Sequence, residues 1–402
     1  MTSINETQIA CMIGELSQLD TMRPNKPFNE DVILFLSELS NALIKTKESR
    51  NFPDVITFAY WCRKSNITKL SKEYIHVKNR IGLGLVFHIT PANVPVNFAF
   101  SFVFSLLAGN SNVIRIPSKN YQQIDIICEA IRQLFREDRF KNIAQNTLLV
   151  KYPHSKEINS FFSTKCNARI VWGGDSTINQ IRESKIPARS LDIGFADRYS
   201  FSIIDPTSIK TCTEKELFRL AEKFYNDTYL MDQNACSSPH LIVWKKSDKS
   251  DAKAEKDKFW KAVHQIAQKK YELDSIRVID KLTLLCSDVI NHPINQVTMP
   301  SNYLHQIKLA SVPNTIVNLS GNSGYFYEVD IAELNELAPL IETKIQTITY
   351  FGLNKEEILN FILNNNLIGV DRIVPVGKAL EIGLTWDGYD LINTLSRVIA
   401  TE

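Results

Sequence analysis

Apolar positions near the start of the chain recur at helical spacing. In "NEDVILFLSELSNALIKT" the side chains of Val32, Leu34, Leu36, Leu39, Leu43 and Ile44 gather largely on one face, and the first seventy or so residues read as helical. From residue 81 the rhythm changes. "IGLGLVFHIT" is a strand run, "TPANVP" a turn, "VNFAFSFVFSLLA" a helix closed by Gly109-Asn110, and "NVIRIPS" the next strand. Pro95 suits a first helical turn and Gly109 the residue past a helix end. The unit repeats through helix "YQQIDIICEAIRQLFRED", strand "NTLLVKYP", helix "SKEINSFFSTK", strand "ARIVWGG" and helix "DSTINQIRES". Such alternation, continuing to about residue 205, predicts a parallel sheet covered on both faces, the kind that binds nucleotides at the carboxyl ends of its strands.

A second region begins after Asp205-Pro206. "TEKELFRLAEKFYND" is helical, a polar loop carrying Cys236 follows, and "HLIVW" is a buried strand. "KKSDKSDAKAEKDK" is a solvated, mixed-charge lead into the helix "FWKAVHQIAQKKYE". "IQTITYFG" and "KEEILNFILNN" continue the mixed pattern, and Asn364-Asn365-Asn366 reads as a helix-ending turn. The predicted fold class is α/β: a Rossmann-type nucleotide-binding domain plus a second α/β domain that carries the cysteine. Residues 1–205 are assigned to the N-terminal helices and the first domain and 206–374 to the second, with 375–402 packing back on the first.

Composition narrows the function. A chain of 402 residues suits two domains, and a net charge of +2 leaves no basic excess for nucleic acid. "VPVNFAFSFVFSLLAG" is shorter than a bilayer-crossing helix and carries Asn97, Ser101 and Ser105, so it predicts a helix buried on all sides and not a membrane span. The opening residues lack a basic start and apolar core, and the seven cysteines show no paired spacing; together they predict a cytoplasmic chain with reduced thiols. The seven histidines are scattered, and no metal site is expected. Gly82-Leu83-Gly84 lies inside a strand without the spacing of a dinucleotide fingerprint.

Cys236 is the conspicuous chemical group. A packing cysteine would sit within the apolar run; this one precedes Leu241, Ile242, Val243 and Trp244, in "MDQNACSSPH". A thiolate there is a nucleophile at neutral pH, and a half-buried structural thiol is the plain alternative.

Four stretches carry a resemblance: "HITPANVPVNFAFSFVFSLLAGNSNVIRIPSK", "VWGGDSTINQIR", "DQNACSSPH", and the C-terminal "IQTITYFG" with "GVDRIVPVGKALEIGLTWDGYDLINTLSRVI". In this order they resemble the aldehyde dehydrogenase superfamily, and more closely its long-chain acyl-CoA reductase branch, the LuxC type. The resemblance implies two domains with an active site in the cleft between them and a nicotinamide dinucleotide bound without the usual glycines. It puts Cys236 at the nucleophile position and Asn93 at the position whose amide, with the cysteine N–H, holds an oxyanion. Asn93 also suits a cap for the helix starting near Pro95.

For the cofactor, the resemblance implies Thr90 and Pro91 in the turn after the first strand, Arg115, Ser118 and Lys119 around the adenosine ribose, and Gly173, Gly174, Asp175 and Ile178 near the pyrophosphate. Glu336 is a candidate for the nicotinamide ribose. Arg115 and Lys119 as a cation pair favour NADPH over NADH, although Ile116 stands where a lysine is common, and both also read as solvated loop charges. Asp192 falls where hydrolytic relatives carry a water-activating glutamate, and it also reads as a turn aspartate. The implied activity is NAD(P)H-dependent reduction of an acyl thioester to an aldehyde through an acyl-cysteine. The alternatives are NAD(P)-dependent oxidation of an aldehyde to an acid, and a cofactor-free cysteine acyltransferase. The resemblance also implies an acyl-protein synthetase as a partner, and a homo-oligomer assembled through a hairpin near residues 66–80.

Overall fold

Alternating strand and helix patterns build two parallel sheets. In this computed structural model, which describes residues 8–74, 79–91, 93–246 and 252–401, the chain divides into one unit of Met1–Ala196 with Leu384–Glu402 and another of Asp197–Gly383.

The first unit contains strands β1 (Ala10–Ile13), β2 (Arg80–Gly82), β3 (Leu85–Ile89), β4 (Ser111–Arg115), β5 (Thr147–Lys151), β6 (Ala168–Trp172) and β7 (Leu191–Phe195). Its helices are α1 (Glu30–Lys45), α2 (Pro53–Trp61), α3 (Lys64–Glu73), α4 (Asn97–Leu107), α5 (Gln122–Leu134), α6 (Lys141–Gln145), α7 (Lys156–Lys165) and α8 (Asp175–Arg182). The six-stranded sheet runs β1-β5-β4-β3-β6-β7, parallel except for the edge strand β1. That strand corrects the all-helical reading of the N-terminal segment: Ala10–Ile13 is too short a run for helical periodicity to be distinguished from strand. Every residue of β3 and β4 is buried, as expected for central strands covered on both faces. From Phe98 to Leu107, α4 is buried throughout, and Trp61 packs edge-to-face with its Phe100 and Phe104. α1 buries Val32, Phe35, Leu36, Leu39 and Leu43, whereas Leu34 is exposed and Phe35 takes the inward place. Where a hairpin was expected near 66–80, α3 occupies residues 64–73; residues 75–78 lie outside the described residues.

The second unit contains β8 (Tyr199–Ile204), β9 (Pro239–Lys245), β10 (Ile294–Ser301), β11 (Leu304–Leu309), β12 (Tyr325–Ile331), β13 (Ile345–Phe351) and β14 (Arg372–Pro375), with helices α9 (Pro206–Lys210), α10 (Glu214–Thr228), α11 (Lys253–Lys270), α12 (Ser275–Asn291) and α13 (Lys355–Asn364). The sheet order is β10-β11-β12-β9-β8-β13-β14, and only β10 is antiparallel to its neighbour. Alternation along β8 and β9 separates two cores. Ile203, Leu241 and Val243 pack with Leu285, Leu337 and Ile358 on one face, and Ile204, Ile242 and Trp244 pack with Phe224, Phe259 and Trp260 on the other. The division falls at residue 196 and not 205, because β8 pairs with β9 and β13 and so belongs to the second sheet.

After β14 the chain returns to the first unit at Leu384, not at residue 375, through β15 (Thr385–Trp386), β16 (Tyr389–Asp390), α14 (Leu391–Thr394) and β17 (Ser396–Val398). β17 pairs antiparallel with β2, and the Asn110 amide donates 2.9 Å to the Leu395 carbonyl.

Candidate active site

Cys236 lies on the connection from α10 to β9. A Thr213–Glu216 capping box starts α10, which ends at Thr228 in a short 3-10 turn, Tyr229–Met231. Asp232 and Gln233 then adopt left-handed backbone (φ 51° and 60°), a conformation costly for residues with a side chain and held only where surroundings over-determine it. Here they do. Gln233 is fully buried, and its Oε1 accepts from the N–H groups of Gly324 (2.7 Å) and Tyr325 (3.1 Å), while Nε2 donates to the carbonyls of Tyr325 (3.1 Å) and Pro239 (3.3 Å). Its own N–H donates 2.8 Å to the Thr228 carbonyl. The Ser200 hydroxyl donates 2.6 Å to the Cys236 carbonyl and accepts from the Thr347 N–H, and the Ser238 hydroxyl donates 2.7 Å to the Asp227 carbonyl. The thiol thus sits half-buried on a loop whose backbone is fixed from both sides.

Gly324 is where the loop meets the start of β12. Its φ is 88°, and a Cβ would stand 2.3 Å from the Tyr303 carbonyl oxygen and 2.8 Å from the Tyr229 hydroxyl, so only glycine fits. His240, four residues after Cys236, is buried with Nδ1 2.8 Å from the Gly321 carbonyl, which accepts the ring proton; burial lowers its pKa to about 4. Its Nδ1 thus serves the backbone. Cys62 and Cys128 are buried among packing residues, and burial pushes both thiols upward, Cys128 to about 12. No disulfide joins any of the cysteines.

In the first unit, the carboxyl ends of β3, β4 and β6 bring together most of the residues expected to meet a cofactor. Thr90 follows β3, and its hydroxyl donates 2.8 Å to the Arg115 carbonyl, tying two strand ends together. Pro91 follows it half-buried, and Asn93 is exposed on a bend. Asn93 is not the helix cap: α4 starts at Asn97 with Val96 as its N-cap and no capping side chain. Gly173 and Gly174 form the turn from β6 into α8, whose N-cap Gly174 makes no side-chain cap hydrogen bond, and a helix start of this kind favours an anion. Asp175 in that turn is exposed and adds a negative charge, so anion recognition would rest on backbone donors and not on net charge.

Other expected site residues are engaged otherwise. Arg115 is buried, with its guanidinium 4.8 Å over the Tyr152 ring and one nitrogen 3.4 Å from the Tyr152 carbonyl, so of the expected cation pair only Lys119 is exposed. Ser118 donates to that same carbonyl at 3.3 Å, and Lys119 lies 5.1 Å over Tyr121. Ile178 is buried against Gly194 of β7 and is a core residue. Asp192 on β7 gives both carboxylate oxygens to Arg169 (3.2 and 2.5 Å), with Arg182 at 3.7 Å. Arg169 is itself buried and bonded to Ser163, Ile181 and Ser184, so Asp192 is the counter-ion of a buried cation and not a turn residue or a base waiting for water. Glu336 accepts from the N–H groups of Ala332 (2.7 Å) and Glu333 (2.8 Å), capping the 3-10 helix Leu334–Leu340.

The first unit retains features that fit a dinucleotide: the start of α8 without a side-chain cap, exposed Lys119, and the buried Arg115 Nε, which has no hydrogen-bond partner among the described residues. Among the described residues, no cluster of His, Cys, Asp and Glu could hold a metal ion. Among the described residues, no helix is long and apolar enough to cross a membrane.

The fold is that of the aldehyde dehydrogenases. A 1-pyrroline-5-carboxylate dehydrogenase variant from Thermus thermophilus superposes with a TM-score of 0.64 at 11% identity, covering 96% of this chain and 83% of that one. Glyceraldehyde-3-phosphate dehydrogenase GapN from Methanocaldococcus jannaschii, solved with NADP, gives 0.62 at 13% identity, covering 95% and 91%. Aldehyde dehydrogenase 21 from Physcomitrella patens, solved with succinate, gives 0.57 at 11% identity, covering 92% and 84%. No curated protein sequence is significantly similar to the chain. Within this fold the chain belongs to the acyl-CoA reductase (LuxC) family, whose model matches residues 42–274 and so includes the Cys236 loop. It is therefore an oxidoreductase of acyl and aldehyde groups.

The sequence pointed to Cys236 but not to the residues that hold it. Gln233 lies in the quoted cysteine motif between Asp232 and Asn234, and nothing local marks it as buried. Ser200 and Gly324 are brought to the loop by the pairing of β8 and β12 with β9 and carry no local mark.

Proposed function

We propose that this chain reduces an activated acyl group to an aldehyde with NAD(P)H through an acyl-cysteine on Cys236. The single observation that supports this most is the Cys236 loop itself, in which a half-exposed thiol is held on a strained, pinned backbone inside the segment matched by the family. The Cys236 thiolate attacks the thioester carbonyl; the bond to its sulfur forms, the bond to the carrier sulfur breaks, and the carrier leaves as a thiol after taking a proton. Thioester exchange is nearly thermoneutral and needs no strong base, which suits a loop whose neighbouring His240 is committed to a backbone carbonyl. When bound, a dihydronicotinamide supplies the hydride that the acyl carbon accepts. The Asn93 amide and the Cys236 backbone N–H are the proposed donors to the resulting oxyanion, each contributing on the order of 10²–10³-fold in rate. Collapse of this thiohemiacetal breaks the carbon–sulfur bond, frees the aldehyde and restores the thiolate.

Gly173, Gly174 and Lys119 are the residues proposed to hold the dinucleotide, with Thr90 and Pro91 shaping the adjacent turn. With Arg115 turned onto Tyr152, a preference for NADPH rests on Lys119. The acyl donor is proposed to be a CoA thioester or an acyl group delivered by an acyl-protein synthetase, and the chain is proposed to act as a homo-oligomer.

Reduction is favoured over hydrolytic oxidation because Asp192, the expected water activator, has both oxygens bonded to Arg169. The test is product analysis: an acyl-CoA with NADPH should give aldehyde and free CoA. Supplying aldehyde, NADP and CoA should give thioester in excess over free acid. Acid as the main product would overturn the proposal.

A further inference from the structure

The helix α12 is turned opposite to expectation. Ile276, Ile279, Leu282, Val289 and Ile290 are exposed, while Lys281 is 2% exposed. Burying an ammonium is costly unless its donors are met, and burial lowers the pKa of this one to about 8. Its Nζ donates to the Asn302 carbonyl and, at 2.8 Å, to the Ser323 carbonyl. Both described partners are backbone oxygens of turns. Asn302 joins β10 to β11, and Ser323 precedes Gly324 and β12.

Ser323 is the link to the thiol. It too adopts left-handed backbone (φ 56°), and its N–H donates 3.2 Å to the carbonyl of Asp232. The next two N–H groups, of Gly324 and Tyr325, are the two that Gln233 accepts. Three residues with side chains in the left-handed region, Asp232, Gln233 and Ser323, are therefore joined to one another, and Lys281 bonds the outermost of them. The Tyr271 hydroxyl donates to the Asp232 carboxylate. His305 lies close enough for the Lys281 charge to lower its pKa further, and its Nδ1 is buried with no partner among the described residues.

We infer that Lys281 is a positioning residue for the nucleophile: its buried ammonium clamps Ser323, and through Ser323 holds Asp232-Gln233 in the conformation that presents the Cys236 thiol. The consequence for catalysis rests on the acyl-cysteine reading; the clamp itself does not.

The test uses the full chain with Lys281→Met, which keeps an apolar stem of similar volume and removes the donors. Lys281→Gln serves if the methionine variant does not fold. Amide hydrogen exchange over residues 232–238, read by peptide mass, should quicken in the variant, with the peptides of α10 and β9 unchanged. Acylation of Cys236 by an acyl-CoA should slow by about ten- to a hundredfold, in kcat and not in KM, as expected for a displaced nucleophile. Combining Lys281→Met with Gln233→Glu should give less than the product of the two single effects, because both act on one latch. Unchanged exchange over 232–238 in a folded Lys281→Met chain overturns the inference, and so do multiplicative effects in the double variant. Wild-type chain that takes no acyl group on Cys236 overturns the proposed function instead, and the exchange measurement still decides the clamp.

Discussion

Charged side chains in this chain repeatedly serve the backbone or a buried partner where the sequence offered them to chemistry. Asp192 is the sharpest case. A carboxylate two residues before a glycine at a strand end reads as a catalytic base or a turn residue, because nothing in the local sequence reveals that Arg169, on the neighbouring strand, is buried and needs a counter-ion. Strand pairing between β6 and β7 puts the two directly opposite each other. Asp192→Asn should therefore lower the unfolding free energy by about 2–3 kcal/mol, below the full cost of breaking a buried pair because the aspartate is one-fifth exposed. Acylation of Cys236 should persist. Urea unfolding and an acylation assay check both, and an unchanged stability with lost activity would assign Asp192 to the reaction. Glu336 and Arg115 were likewise legible as charges at plausible places: Glu336 accepts from two backbone N–H groups, and the Arg115 guanidinium lies over the Tyr152 ring.

At the scale of elements, the strands and helices of residues 81 to 205 were legible because buried parallel strands are short unbroken apolar runs and their helices carry one apolar face. The edge strand β1 and the hairpin of β10 and β11 were not, since exposed edge strands carry mixed residues without a clean period. Connections between elements are also invisible locally, and α10 gives an example. Asp227 near its end is buried and accepts from the N–H groups of Gly377 (2.6 Å) and Ala379 (2.9 Å), fixing the segment after β14. Burial raises its pKa to about 6, partly opposed by those two bonds. A carboxyl whose pKa is higher folded than unfolded binds more protons in the folded chain between the two values. Its contribution to stability is full below 3.8 and is lost as pH rises through about 6. Asp227→Asn removes this dependence. The stability difference between wild type and variant should thus change by roughly 3 kcal/mol between about pH 4 and pH 7. Urea titrations across that range measure it, and a difference independent of pH would contradict the assignment.

Across the whole molecule, the fold and the family were legible from four stretches spread over both units, whereas the unit boundaries were set by pairing: β8 at one side and the return of β17 to β2 at the other. The proposed chemistry condenses onto one atom, the Cys236 sulfur. The measurement that tests it most directly is intact-mass and peptide mass spectrometry of the chain mixed with a panel of acyl-CoAs, without and then with NADPH. The account predicts one added acyl group, located on Cys236, that disappears with release of aldehyde when NADPH is added, and no such adduct in Cys236→Ala. An acyl group lodged elsewhere, or undiminished turnover by Cys236→Ala, would contradict it.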